Sequence, residues 1–419
     1  MSSYDVIVIG GGPSGLMASV AAAKHGASVL LVDKGAKLGR KLGISGGGRC
    51  NVTNMKERDE LIAHIPGNGR FLYSALDHFD NRSIAAFFED LGIRLKEEDN
   101  GRMFPVSDKA SSVVSALIGK IKALGVSILT DSPVREVLYG EDRVRGVRLA
   151  SGKELKARSV IIATGGKSVP QTGSTGDGYP WAEAAGHTIT DLYPTEVPIV
   201  SREGWIKSGE LQGLSLRDVT LTVWNEKGKK LISHRGDMIF THFGLSGPIA
   251  LRCSQFLRQV QRRTGKPEVD MSIDLFPDLR PDEAERLIRE KLEAEPKKAV
   301  RNILKGMLPD RLVPLALAKS GIDGDVTGIQ LSKTGQTTLA GFLKRMPVTV
   351  HGTRSLEEAF VTGGGVQLKE IQPGTMESKL MPGLYFCGEI LDIHGYTGGY
   401  NITAAFSTGY TAGMHAAES

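Results

Sequence analysis

The sequence predicts an α/β protein in which a mostly parallel sheet is assembled from both ends of the chain, with a mostly β and helical region inserted between them. Three observations predict this. Residues 4 to 34 have the apolar, glycine, apolar rhythm of a βαβ unit; residues 382 to 418 again run from an apolar strand through glycines into a helix; and from about 190 to 350 the texture changes to short alternating runs and amphipathic helices.

The first element is "YDVIVIGGGPSGLMASVAAAKHGASVLLVDK". Its β-branched run Val6 to Ile9 reads as a strand buried on both faces, and Gly10, Gly12 and Gly15 form a G-x-G-x-x-G turn. Small and apolar residues recur at helical spacing from Pro13 to His25, Gly26 stops the helix, and "SVLLVD" is a second buried strand ending in Asp33, about 20 residues beyond the turn. Each part has a physical role. Gly10 permits the tight turn, Gly12 lets a pyrophosphate lie against the backbone, Gly15 lets helix and strand approach, and Asp33 accepts hydrogen bonds from a ribose. Pro13, Ser14 and Lys34 flank these positions and complete the expected dinucleotide site.

The second element, "GRKLGISGGGRCNVTN" from residue 39, places three consecutive glycines before Arg49, Cys50 and Asn51. Such a run loses backbone entropy and is wasted inside a helix or strand, so bare backbone is expected to face something flat or bulky. Next come a helix at 80 to 93 and, from 132 to 166, a small three-stranded meander beginning near Val134. Its last strand ends in Ala163, Thr164, Gly165 and Gly166. Residues 197 to 275 read as mostly β, residues 281 to 320 as helical, and "TTLAGFLKRMPVTVHGT" as a return toward strands. The expected domains are 1–190 with 351–419, then 191–280 with 321–350, and a helical insertion at 281–320.

The final element, "GLYFCGEILDIHGYTGGYNITAAFSTG", is an apolar strand ending in Gly388 and Glu389, then a loop, then Gly398 and Gly399 just before a helix beginning near Tyr400, Asn401 and Ile402. A helix N-terminus there can face the edge of a flavin where negative charge gathers on reduction. Two glycine-rich stretches beyond the first turn, at 43 to 51 and near the C-terminus, favour FAD over a nicotinamide as the resident dinucleotide.

Together "VIVIGGGPSGLMAS", "GRKLGISGGGRCNVTN", "THFGLSGP" and "CGEILDIHGYTGGYNITAAFSTG" resemble the BaiN-like (YhiN-type) FAD-dependent oxidoreductases along the whole chain. The resemblance implies an FAD-binding Rossmann-like domain built from both chain ends, with an inserted β-barrel-like region and a small helical domain. It also implies that residues 39 to 51, including Gly39, Ser45, Gly46, Gly47 and Gly48, lie along FAD while Arg40, Lys41 and Arg49 supply positive charge. It further implies reduction of unsaturated steroid-like intermediates or formation of dihydrouridine in ribosomal RNA.

Flavin chemistry asks little of side chains beyond one proton donor. Asp392, His394 and Tyr396 sit in the loop expected to pass the flavin, and His394 has an ordinary titration range suited to that work. His242 and Ser246 in "THFGLSGP" precede a helix start at Pro248 and are the next pair, with Ser246 also readable as a helix cap. Cys50 beside the flavin is read as a packing contact and Cys387 as core. No second G-x-G-x-x-G unit and no CxxC pair is present, so NAD(P)H enters as a transient electron donor or another donor reduces the flavin. "KKAVRNILK", with four positive charges, raises RNA as a substrate, against a solvated helix face as the alternative. A non-catalytic FAD protein acting as a redox sensor is the rival from another class.

Composition is that of an ordinary globular enzyme: 40% hydrophobic and 24% charged, with 52 glycines clustered in short loops rather than in a repeat. The net charge of +5 permits an anionic ligand without requiring one, and three scattered cysteines suggest neither a disulfide framework nor a metal site. With no signal peptide or long apolar run, the expectation is a cytoplasmic protein with a small-molecule or RNA substrate and no membrane or obligate protein partner.

Overall fold

The computed structural model describes residues 3–419. Strand Ser3–Ile9 (β1) passes through the glycine turn into helix Pro13–Lys24 (α1) and strand Val29–Val32 (β2). Val6, Ile7 and Val8 are fully buried, as a β-branched run between parallel neighbours requires. β1 pairs in parallel with β2 on one side and with Glu154–Ile162 on the other, and β2 pairs in parallel with Ser127–Leu129.

Strand Glu154–Ile162 joins the two chain ends. Its first half pairs antiparallel with Val144–Leu149, closing the meander Val134–Tyr139, Val144–Leu149, Glu154–Ile162 that the sequence predicts. Its second half receives Leu384–Phe386 in parallel, with Leu384 opposite Val160 and Phe386 opposite Ile162. The C-terminal helix Tyr400–Glu418 then packs along α1. Its glycines explain how closely: a β-carbon at Gly409 would lie 2.3 Å from the Ser14 carbonyl oxygen, and one at Gly413 2.2 Å from that of Ala18.

Strands Thr53–Asn54, Arg102–Pro105 and Leu95–Glu98 form a small antiparallel sheet, accompanied by helix Asn81–Asp90. Asp80 caps that helix, accepting a hydrogen bond from the Ser83 amide. Asp80→Ala is expected to lower stability by about 1 kcal/mol, readable as a shifted urea midpoint with an unchanged slope.

The chain divides into two compact units, Met1–Pro194 with Leu356–Ser419, and Thr195–Ser355. The second unit contains a seven-stranded antiparallel sheet running from Met346–Val350 through Val269–Asp274, Ser215–Trp224, Lys230–Phe240, Gly244–Ser246 and Ile199–Val200 to Gly352–Thr353. The first and last strands of that order are joined through the single residue His351, which gives the sheet its barrel-like closure. Helices Pro281–Ala294, Val300–Leu304 and Val313–Ser320 follow strand Val269–Asp274. Helicity then continues beyond 320: Lys333–Lys344 is a helix, capped by Ser332, in a stretch whose threonines read toward strand. Its buried Leu339, Ala340, Phe342 and Leu343 pack it against Pro281–Ala294, so tertiary contact overrides local propensity. Among the described residues no helix is long and apolar enough to cross a membrane, and no cluster of side chains is arranged to hold a metal ion.

Candidate flavin site

The glycine turn, residues 39 to 51, the Glu389 setting and the loop from Asp392 to Gly399 all lie within the first unit. Gly10 has φ +104°, and a β-carbon there would lie 2.5 Å from the Ala163 carbonyl oxygen. A β-carbon at Gly15 would lie 1.8 Å from the Gly10 carbonyl oxygen, which seats α1 directly on the turn. Gly12 is different. No protein atom lies within 4 Å of a β-carbon built on it, and no side chain caps α1 there. The helix start therefore presents amides toward open space.

Asp33 closes the turn, its two carboxylate oxygens accepting from the amides of Gly11 and Gly35 at 2.7 Å each. The Ser132 amide donates to the Asp33 carbonyl and the Asp131 amide to that of Gly35, bringing the start of the Val134 strand beside the same turn. Lys34 pairs with Asp177. The Arg40 guanidinium lies over Gly35 and Gly173 and, among the described residues, has no ion-pair partner. The other two cations expected at the flavin are committed to acids instead. Lys41 bonds Glu389 at 2.6 Å, while Arg49 pairs with Glu98 and Asp108 and lies over the Phe104 ring.

The glycine run is not wholly loop. Residues Arg40–Gly48 form a helical segment that breaks at Ser45, which is extended, before Gly46, Gly47 and Gly48 all take positive φ. The three glycines are exposed, and β-carbons at Gly47 and Gly48 would meet nothing within 4 Å. Cys50 follows, also with positive φ, fully buried, its thiol pushed up to about 12 by burial. It stays protonated and behaves as a packing residue. Next to it, the Asn51 side-chain oxygen is buried without a hydrogen-bond partner, about where a β-carbon at Gly399 would stand (3.0 Å).

Glu389 sits between three donors: Lys41, the Ser168 hydroxyl at 3.0 Å and the Thr362 amide at 2.8 Å. Burial acts to raise its carboxyl, but Lys41 and these donors outweigh it and hold it below the usual carboxylate range. Thr362 also accepts from the amides of Lys167 and Ser168, fastening the turn after Gly166. Beside Gly165, Thr164 has a buried hydroxyl with no partner.

The loop from Asp392 to Gly399 is stitched to the chain around 64 to 68. Gly67 and His394 exchange backbone hydrogen bonds, the Tyr396 amide donates to His64, and Asn68 donates to the Asp392 carbonyl. Asn401 clamps the loop by accepting from the Gly395 amide and donating to the carbonyls of Gly395 and Tyr396. Gly399 leads into the C-terminal helix, whose start no side chain caps. Burial pushes the Asp392 carboxyl up, against hydrogen bonds from Thr190, Gly364 and Asn68. Tyr396 is buried, its ring edge-on to His64. His394 is only 3% exposed, and burial pushes it down to about 4, with Glu389 acting weakly the other way. Its imidazole is therefore neutral at pH 7, contrary to the titration range read from the sequence.

This neutrality predicts a pH effect. Between pH 6.5 and about 4 the unfolded chain protonates His394 and the folded chain does not, so stability is full above that window and falls as pH drops through it. The expected loss is about 3 kcal/mol, and His394→Gln should remove that part of the melting-temperature decline. The comparison must be with wild type, because burial also lowers His187.

His242 lies in the other unit, exposed and edge-on to Phe243. Ser246 is not a cap: it pairs with Ile239 in the sheet, and Gly247 takes the N-cap position of Pro248–Thr264. Two of the four cations in the stretch 297 to 305 are paired, Lys298 with Glu295 and Arg301 with Asp325, both at 2.7 Å. Sequence reading missed Ser168, Thr362, Tyr179 and Tyr193, none of which stands in a recognisable motif. Tyr179 and Tyr193 matter because the first brings a buried, unpartnered hydroxyl near Glu389 and Asp392, and the second bonds His394.

The donor set fits FAD. Uncapped α1 amides and the unpaired Arg40 suit a pyrophosphate, while the unpartnered Asn51 oxygen and Thr164 hydroxyl lie beside bare glycine backbone of the kind a ring system needs. Over 418 residues the chain is 34% identical to the ribosomal RNA dihydrouridine synthase of Haemophilus influenzae, covering 99% of each chain. It is 31% identical over 415 residues to the 3-dehydro-bile acid delta(4,6)-reductase of Clostridium scindens, covering 98% of each. The 3-ketosteroid delta1-dehydrogenase of Sterolibacterium denitrificans shares its fold, with a TM-score of 0.53 at 15% identity over 100% of both chains. Residues 4–415 match the HI0933-like protein Rossmann domain, and the chain belongs to the HI0933-like family.

Proposed function

We propose that this protein is an FAD-dependent reductase that adds hydride from reduced flavin, and a proton, across a carbon–carbon double bond conjugated to a carbonyl. One observation carries the reading. Two relatives aligned over essentially the whole chain are named for different substrates but for the same kind of bond change, saturation of an activated C=C bond. When bound, FAD supplies the hydride.

The protein's own residues bind and orient it. The turn Gly10 to Gly15, the α1 amides and Arg40 hold the pyrophosphate; Asp33, Lys34 and Val134 hold the adenosine end. Ala163 to Gly166, Gly388 and Glu389 line the ribityl chain, with Lys41 keeping Glu389 ionised. Gly46 to Asn51 and Gly398 to Ile402 frame the ring. Asp392, His394 and Tyr396 are the candidates for the wall closest to the chemistry.

The test is an anaerobic visible spectrum during titration with NADPH and then NADH, followed by addition of a 3-oxo-4,6-diene steroid or a uridine-containing RNA. Bleaching of the flavin band identifies a pyridine nucleotide as donor, and recovery on adding either acceptor establishes C=C reduction and its substrate class. A reduced flavin that no acceptor reoxidises faster than oxygen would instead favour a non-catalytic FAD protein.

A further inference from the structure

The loop carrying His394 reaches one more polar side chain of the first unit. Tyr193 begins the short strand Tyr193–Thr195, which pairs with Val361–Gly363, the segment whose Thr362 amide holds Glu389. The Tyr193 hydroxyl lies 2.9 Å from His394 Nε2, and the two rings meet edge to face. Gly67 makes room for this pair: a β-carbon there would lie 2.2 Å from the imidazole. His394 Nδ1, by contrast, is buried without a partner.

We propose that Tyr193 is the proton donor of the reduction and that His394 is its positioning residue. The inference rests on the C=C reductase reading above. A neutral imidazole carries one N–H, and a buried N–H without a partner is rarer than a buried acceptor without one. The proton therefore belongs on Nε2, which donates to the Tyr193 oxygen. So placed, the tyrosine oxygen accepts that hydrogen bond, which stabilises its anion.

The hydride that bound, reduced FAD would supply forms a C–H bond at the substrate carbon β to the carbonyl, leaving oxidised FAD, and the π pair moves to the α carbon. That carbon takes the Tyr193 proton as the O–H bond breaks. The tyrosinate, held by His394 Nε2–H, regains a proton from water after the saturated product leaves. Burial keeps His394 neutral, so it serves this arrangement as a fixed donor rather than as a competing acid.

The experiment compares full-length holoenzyme with Tyr193→Phe, His394→Gln and His394→Ala, reduced with dithionite and reoxidised by the same dienone steroid or uridine RNA, with ferricyanide as an acceptor that needs no proton. Tyr193→Phe should slow reoxidation by the carbon acceptor on the order of 100-fold or more. Ferricyanide reoxidation, FAD content and the affinity of the oxidised enzyme for the acceptor, read from the flavin spectrum, should stay within about threefold. His394→Gln, whose amide can still donate, should retain more of the rate than His394→Ala, and only variants with Tyr193 should show a solvent deuterium isotope effect on the carbon acceptor. Wild-type reoxidation with an unaffected Tyr193→Phe variant overturns the assignment of Tyr193 alone. Failure of wild type itself with both carbon acceptors overturns the reductase reading and this inference with it.

Discussion

Gly12→Leu is expected to empty the protein of FAD while leaving the polypeptide folded. The backbone at Gly12, φ −79° and ψ −174°, is extended and open to any residue, and a β-carbon there meets nothing. Gly is preferred over Leu at an N-cap, so the substitution costs the apo form about 1 kcal/mol, small against a typical reserve. The same side chain, however, would occupy the space into which the α1 amides point, where the pyrophosphate is expected. Affinity for FAD should fall by about 100-fold or more, equivalent to about 2.7 kcal/mol. Flavin absorbance per mole of purified protein, together with the melting curve of the apo form, checks both halves. Normal flavin content would move the cofactor away from this turn; an unfolded variant would mean that Gly12 is a structural glycine.

The second large effect is the reverse, a loss of fold caused at a helix–helix contact. Gly409→Val and Gly413→Val each insert a side chain where a β-carbon alone would already lie 2.3 or 2.2 Å from a backbone oxygen of α1. Backbone cannot rotate away as a flexible side chain can, so the two helices must separate. Replacing a helical glycine gains up to about 1 kcal/mol in propensity, but overpacking of this severity costs about 3 kcal/mol or more, so the clash wins. Against a typical reserve of about 5–15 kcal/mol, the double variant should fail to fold. Far-UV circular dichroism and chemical denaturation of the two single variants and the double give the measurement, and native-like stability of Gly413→Val would refute the packing argument.

The contrast between these glycines shows what a sequence reader can and cannot see. Gly10, Gly12 and Gly15 are legible because the G-x-G-x-x-G spacing sits between an apolar strand and a helix, with Asp33 at the next strand's end. Gly409 and Gly413 share nothing with each other but a helical spacing, and only the neighbouring helix explains them. Likewise Arg40, Lys41 and Arg49 look equivalent in sequence. In the structure two of the three are neutralised by acids distant along the chain, Glu389 for Lys41 and Glu98 with Asp108 for Arg49, which leaves Arg40 as the cation available to a phosphate. The extra helix Lys333–Lys344 was hidden for a related reason, since its threonines favour strand locally and its buried leucines are rewarded only by a partner helix.

Local patterning by itself determined the βαβ unit, the meander and the C-terminal strand and helix, because each depends on hydrophobic period and on turn residues within a few positions of one another. Tertiary structure alone decided the protonation of His394, the pairing of Tyr193 with it and the setting of Glu389. Those properties depend on burial and on charges brought together from up to about 350 residues apart, as in the Lys41–Glu389 pair, and no spacing rule reaches across that distance.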